Sequence, residues 1–334
     1  MRKIIRKMRR YRGKPTFSYY YENGVRITDK ELLVKLKGLR IPPAWTDVQI
    51  NLSKNVNRIV VGLDTEGRKQ SIYSKKFVLK KRKERMCNIA DLILVLPSIR
   101  RTIDVDIQAR SRRARAIATI VKMMDTCCPL RIGNEIYRRR YNTYGLSTLE
   151  KKHLTLMDDG IMIQFIGKKH MENKKWISKT NDPLVYESLL YFYKNIKRIR
   201  DADGKYRKPI FSYCSKPITS CDINDYIQKY GNFSAKDFRT LRANVELLKA
   251  LGGAGMWKTK TEMVRKRNSA LDIAAEVLNN TRAICKSSYV LKPILTMYET
   301  KPKSLLTKIS RTNDMESVLH GLLVDCSRKR ASNF

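Results

Sequence analysis

The chain has 334 residues and a formal net charge of +39, from 70 lysines and arginines set against 31 aspartates and glutamates. Ion pairs cannot neutralise such an excess. A fold built from this sequence either tolerates its own repulsion or meets a polyanion. Nucleic acid, an anionic membrane surface and a capsid interior all qualify, and charge alone does not choose among them. Apolar residues make up 42% of the chain, enough for a core in each of two ordinary domains. No run approaches the roughly 18 apolar residues of a membrane span, and Met1 to Arg10 has charge without the apolar stretch of a signal peptide. The expectation is an intracellular protein. Seven cysteines, with Cys127 and Cys128 adjacent and no C-x-x-C, fit neither a disulfide framework nor a zinc site; they read as reduced core thiols in a reducing compartment.

Organisation changes near residue 80. Before it, Thr16 to Tyr21 followed by Glu22-Asn23-Gly24, then Arg58 to Gly62 and Gln70 to Tyr73, read as short strands. The expected division is a basic arm at 1–14, a β-rich domain at 15–80 and a mainly helical domain at 81–334. Arg2 to Lys14 holds eight basic residues and reads as a phosphate-gripping arm, a localisation signal or a solvated tail. Lys75 to Arg85 reads equally as a hinge or as a solvated helix face. Beyond it, Ile117, Ile120, Val121 and Met124 take helical spacing until Pro129 stops the helix. Three strands then form a meander: Leu154 to Leu156, Ile161 to Ile166 and Lys174 to Ile177, with Gly167-Lys168-Lys169 at the second tip.

Three scattered segments carry chemistry: Leu130-Arg131-Ile132-Gly133, Phe238-Arg239-Thr240-Leu241 and Ser288-Tyr289. Two planar guanidiniums can brace the charge that grows on a pentacoordinate phosphorus, and a tyrosine can attack it. Lys168, on a hairpin tip, reads either as a solvated charge or as a general acid that protonates a leaving 5′ oxygen. Ser234 to Asp237 is a capping box, and Phe238, Leu241, Val245 and Leu248 form one apolar stripe with Gly252-Gly253 as the stop. Arg239 and Arg242 are therefore expected together on the opposite, outward face, near the positive end of the helix dipole.

These segments occur in an order that resembles the small type IB DNA topoisomerases of poxviruses, bacteria and large DNA viruses. The resemblance rests on Leu130 to Glu135 with Tyr144-Gly145-Leu146, Phe165 to Lys168, Ala235 to Thr240 and Ala283 to Tyr289. It extends through Thr16 to Tyr19, Arg26 to Asp29, Ile41 to Val48 and Gly67 to Gln70. It implies an α+β protein: a small β-rich amino-terminal domain and a larger, mainly helical, tyrosine-recombinase-like catalytic domain, forming a C-shaped clamp around duplex DNA. The implied roles are phosphate clamps for Arg131 and Arg239, general acid for Lys168, and for Tyr289 the nucleophile that becomes a 3′-phosphotyrosine. One position departs: the family's histidine falls on Asn280, which can donate a hydrogen bond but carries no charge.

The implied activity is relaxation of supercoils by single-strand cleavage, rotation and religation, in an isomerase that works as a monomer with no obligatory protein partner. Cationic neighbours favour the phenolate and stabilise the transition state, so no metal is expected, and the phosphotyrosyl bond conserves the energy of the broken linkage, so no ATP is expected. No cofactor is implied. The sequence has no G-x-x-x-x-G-K-[S/T] loop, and Asp201 to Gly204 reads as a turn between helix and strand. Resemblance places Gln70 and Tyr73 in the major groove and Asn134 and Tyr137 on a DNA-contacting helix, while Arg242 reads as a further phosphate contact. A tyrosine recombinase and a non-catalytic DNA-packaging protein are the alternatives.

Overall fold

The computed structural model describes residues 3–53, 55–201 and 203–331, with side chains to residue 325. The chain divides into two compact units between Arg85 and Met86. The first is an antiparallel sheet of five strands, β1 (Ile4–Tyr11), β2 (Lys14–Tyr21), β3 (Thr46–Ile50), β4 (Arg58–Leu63) and β5 (Lys69–Tyr73), in the order β2-β1-β3-β4-β5. Helix α1 (Lys30–Gly38) begins where the Asp29 side chain accepts from the Glu31 and Leu32 amides, and it buries Leu36 among Ile4, Tyr19, Val48, Ile50 and Val60.

The expected arm at 1–14 is a correction, because Ile4–Tyr11 is a strand of this sheet; Arg2 lies outside the described residues. Repulsion among its cations is outweighed by pairing with β2 along its whole length and by burial of Ile4. Arg12 and Gly13, at φ 48° and 75°, make the two-residue turn between Tyr11 and Lys14, a primed hairpin turn in which glycine meets no steric cost. The basic stretch from Lys75 to Arg85 opens the helix α2 (Lys75–Asp106), with its lysines turned to solvent as the helix-face reading expects, and the boundary between the two units falls within this helix, directly after Arg85.

The second unit packs α3 (Arg112–Asp125), α5 (Pro183–Lys194), α6 (Ser220–Gln228), α7 (Ala235–Ala254), α8 (Lys260–Val277), α9 (Arg282–Ser288), α10 (Lys292–Thr300), α11 (Pro302–Ser310) and α12 (Met315–Ala331) around one core with the later part of α2, while α4 (Glu135–Tyr141) buries none of its residues. The meander is β6 (Leu154–Met157), β7 (Gly160–Ile166) and β8 (Glu172–Ser178). Arg100 joins α2 to α3 and α12 by pairing with both Asp125 and Glu316 at 2.7 Å, and these carboxylates raise its already high pKa although burial opposes them. No helix among the described residues is long and apolar enough to cross a membrane.

Three further expectations change. Helix α7 runs through Gly252 and Gly253 and ends at Gly255, because tertiary burial outweighs the roughly 1 kcal/mol that glycine costs inside a helix. Cys87, Cys214 and Cys221 are exposed, so the thiols are not uniformly core; the side chain of Cys326 lies outside those described. Asp201 turns the chain between two short strands, Ile199–Arg200 and Tyr206–Arg207, accepting from the Asp203 and Lys205 amides; Ala202 lies outside the described residues.

Candidate active site

Arg131 reaches its place through a backbone contact. After α3 the loop Arg131–Gly133 is pinned to Gly145–Ser147: the Leu146 amide donates to the Arg131 carbonyl at 2.9 Å and the Ser147 amide to that of Ile132 at 2.7 Å. A Cβ on Gly145 would lie 2.6 Å from the Arg131 carbonyl oxygen, and Gly133 sits at φ 90°, so the approach needs glycine on both sides. The side chain of Arg131 is exposed. Asn134 caps α4 by accepting from the Ile136 amide at 2.8 Å; on that helix Tyr137 is exposed, its ring tilted by 38° against that of Tyr141 with centroids 5.6 Å apart.

Arg239 corrects the expected outward face. It is 4% exposed, its Nη2 donates to the Leu278 carbonyl at 2.9 Å, and its Nε is buried with no hydrogen-bond partner. The cause is that α7 is covered on several sides, burying Ala235, Thr240, Ala243 and Asn244 in addition to the predicted stripe, so a single-stripe reading fails. Burial lowers the guanidinium to about 10; Tyr289 opposes that shift and Arg131 adds to it. Arg242, by contrast, is half-buried and paired with Glu246 at 3.2 Å.

The turn between α8 and α9 and the β7–β8 hairpin are locked together. Asn279, at φ 50°, donates from Nδ2 to the Glu172 carbonyl at 2.6 Å and to Asn173 Oδ1 at 2.9 Å. The hairpin closes by the Gly167 amide donating to the Met171 carbonyl at 2.7 Å, and Lys168 begins the tight turn between them. Asn280 follows on the same turn, its amide bonded to the Ala275 carbonyl and its Nδ2 buried without a partner. Buried donors are rarely left unmade, so the orphaned nitrogens of Asn280 and Arg239 mark a place suited to an anion.

Tyr289 ends α9, its amide donating to the Cys285 carbonyl at 2.9 Å, and it is 3% exposed. The Arg239 guanidinium carbon stands 5.0 Å from the centre of its ring. Beneath it, burial raises the Cys285 thiol to about 11 against the pull of Arg239, which keeps that sulfur protonated and uncharged at neutral pH.

Two adjoining clefts collect these groups. A cleft of about 340 Å³ is lined by Arg131, Lys168, Arg239 and Asn280, and a second of about 640 Å³ by Arg131, Lys168, Arg239 and Tyr289. Asn134 and Tyr137 line the second cleft, and Arg242 lines neither. In the first unit, Tyr73 is exposed and stacks on Phe77, whereas Gln70 donates to Asp64 Oδ2 at 2.8 Å. Strand alternation puts Gln70 with the inward Ile72 and Tyr73 on the other face, so the two do not act side by side. Sequence reading quoted Tyr144 for the resemblance but gave it no place in the site, although it lines both clefts, and it missed Asn244, which is wholly buried; the signal for Asn244 was a lone amide between Ala243 and Val245.

Two arginines and a lysine around a tyrosine, in a strongly basic chain, define an enzyme of phosphoryl transfer on a nucleic acid. Comparison with known proteins narrows the class. The family described as "Eukaryotic DNA topoisomerase I, catalytic core" matches residues 74–316, and that described as "Bacterial DNA topoisomerase IB, N-terminal domain" matches residues 16–64. The chain is 28% identical over 299 residues to DNA topoisomerase 1B of Acanthamoeba polyphaga mimivirus, covering 85% of each protein. It is 26% identical over 314 residues to DNA topoisomerase 1B of Vaccinia virus (strain Copenhagen), covering 88% of this chain and 93% of that one. A third relative, DNA topoisomerase 1 of Mycosarcoma maydis, is 31% identical over 218 residues, or 60% of this chain and 21% of that protein. The chain belongs to the type IB DNA topoisomerases; it is an isomerase that acts on DNA.

Proposed function

We propose that this topoisomerase cleaves one strand of duplex DNA through Tyr289, with Arg131 and Arg239 bracing the non-bridging oxygens of the scissile phosphate. The observation that carries the reading is the convergence of Arg131, Lys168, Arg239, Asn280 and Tyr289 on two adjoining clefts. Tyr289 gives up its phenolic proton to solvent, its oxygen bonds to phosphorus as the bond from phosphorus to the 5′ oxygen breaks, and the departing oxygen takes a proton from the Lys168 ammonium. The strand is left with a 3′-phosphotyrosine and a free 5′ hydroxyl. Religation is the same step reversed, so supercoils are lost without nucleotide hydrolysis. Asn280 serves as a neutral donor to the phosphate, supported by its orphaned Nδ2. The enzyme acts as a monomer and closes as a clamp on the duplex, with Tyr73, Asn134 and Tyr137 among the DNA contacts, supported by their exposure.

Tyr289→Phe tests this. It should abolish relaxation of a supercoiled plasmid, assayed with EDTA and without ATP, while DNA affinity stays within a few-fold. Denaturing the wild-type reaction should trap protein on the 3′ end of the nick. A 5′ adduct, or relaxation by the Phe variant, rules the assignment out.

A further inference from the structure

The β1–β2 hairpin has a fixed root and a projecting tip. Strand β1 pairs with β3 only at Ile4, Ile5 and Arg6, but with β2 along its full length from Ile4 to Tyr11. Lys7 to Tyr11 and their partners on β2 therefore form a two-stranded ribbon that runs beyond the rest of the sheet, for about 17 Å at strand rise. The root is rigid: Arg6, buried, donates from its guanidinium to the carbonyls of Ile41, Pro42 and Trp45, the last at 2.7 Å.

The tip is built for contact. Lys7, Arg9, Arg10, Arg12 and Lys14 are all exposed, as are Met8 and Tyr11, and the first acidic residue of the chain is Glu22. Tyr11 is 65% exposed, with the Arg12 guanidinium 5.5 Å from its ring centre. The matched amino-terminal family domain begins at residue 16, so β1 and the turn lie outside that match. Across the pair Lys7, Arg9 and Arg10 face Ser18, Thr16 and Pro15, and Lys14 faces Tyr11, so no carboxylate stands opposite any of them. The ribbon presents a surface of one sign, suited to a polyanion. B-DNA's major groove is about 12 Å wide and 8.5 Å deep and admits a two-stranded ribbon, which this projection is long enough to fill.

We propose that the β1–β2 ribbon is an accessory duplex-DNA-binding element that enters a groove and grips the flanking phosphates. The inference rests on the reading of the chain as an enzyme of duplex DNA.

A charge-matched pair of triple variants tests it: Arg9→Gln, Arg10→Gln and Arg12→Gln on the ribbon, against Lys30→Gln, Lys35→Gln and Lys37→Gln on α1. Affinity for a labelled duplex is read across salt concentrations. Each lost phosphate contact lowers the slope of log affinity against log salt by about 0.9, so the ribbon variant should lose about 2 to 3 and the α1 variant less than about 1. Equal slopes in the two variants overturn the proposal, and so does binding of the wild type to anionic vesicles with no slope difference on DNA. A folding-independent arm replaces one exposed ring, Tyr11→p-azidophenylalanine; irradiation should cross-link the ribbon to the duplex, and failure to do so counts against it. Absence of a 3′ adduct in the wild type would instead sink the parent reading.

Discussion

Asn244 holds the main chain that leaves Tyr289, on both sides of Val290. Its Nδ2 donates to the Tyr289 carbonyl at 3.0 Å, and its Oδ1 accepts from the Leu291 amide at 2.8 Å. The same Nδ2 also donates to Thr240 one turn back on α7, next to Arg239. One wholly buried amide thus ties the helix that carries an arginine to the backbone that carries the proposed nucleophile.

Removing that amide should separate geometry from charge. Asn244→Ala orphans two buried backbone groups at about 1–3 kcal/mol each and frees the Tyr289 backbone, so the melting temperature should fall. Single-turnover cleavage should slow by tenfold to about a hundredfold, the scale of a displacement of roughly 1 Å, with DNA affinity nearly unchanged. A cleavage rate equal to wild type would show that Tyr289 is held by its own helix alone.

The two arginines should respond differently to lysine. Each alanine variant should lose about a hundredfold or more in cleavage rate. At the exposed Arg131 a lysine keeps its charge and recovers part of the loss. At Arg239 the burial that lowers a guanidinium to about 10 would push a lysine towards neutrality, so Arg239→Lys should recover less, and should improve as pH is lowered. Equal recovery at both positions, read from single-turnover rates between pH 6 and 9, would contradict the burial argument.

Lys168 can be told from its neighbour Lys169 by changing the leaving group. A 5′ thiolate departs without a proton, so sulfur in place of the 5′ oxygen should restore cleavage to Lys168→Ala but not to Arg239→Ala. Equal rescue of both, or a defect that follows Lys169, would mean the acid lies elsewhere.

Asn280→Ala should lose about 1.5–3 kcal/mol of transition-state stabilisation, the worth of a hydrogen bond to a charged group, and less than either arginine variant. Asn280→His should keep much of the activity and acquire an ionisation near 6.5 that the wild type lacks. An alanine variant that relaxes DNA at full rate would remove Asn280 from the site.

His153 supports the cleft wall, 4.3 Å from Tyr144 ring to ring, with its Nδ1 accepting from the Glu150 amide at 2.9 Å. Burial, aided by Lys152, lowers it to about 4. Between pH 6.5 and 4 the unfolded chain therefore binds a proton that the folded one refuses, and stability should fall as pH is lowered through that window. Denaturant midpoints at pH 7 and pH 5 should differ less in His153→Asn than in the wild type.

The meander was legible because β7 alternates Ile161, Ile163 and Phe165 inward, a pattern that local sequence carries directly. The burial of Arg239 was not, since it depends on how many sides of α7 are covered, a tertiary fact with no local signature. Charge density concealed β1: its cations resemble a tail, and only Arg12-Gly13 between β-rich segments marked a turn. The sequence singled out Arg131, Lys168 and Tyr289 by their chemistry and by family order, and the fold lines shared clefts with them, while Asn244 needed the fold to show what its amide reaches.

The bonds from Asn279 to Glu172 and Asn173 make a single lever of two pieces of chain far apart in sequence. Lys168 rides on one arm and Asn280 on the other; Arg131 is anchored elsewhere, on the Gly145 loop, whereas Arg239, carried by α7, is bonded to the Leu278 carbonyl beside Asn279. Lifting the hairpin would thus withdraw the proposed proton source and the proposed phosphate donor in one motion and leave Arg131 behind. On the proposed mechanism, a covalent adduct caught in that posture would keep the charge of Arg131 yet be slow to reverse, and a longer pause would give the strand more time to turn before it is sealed.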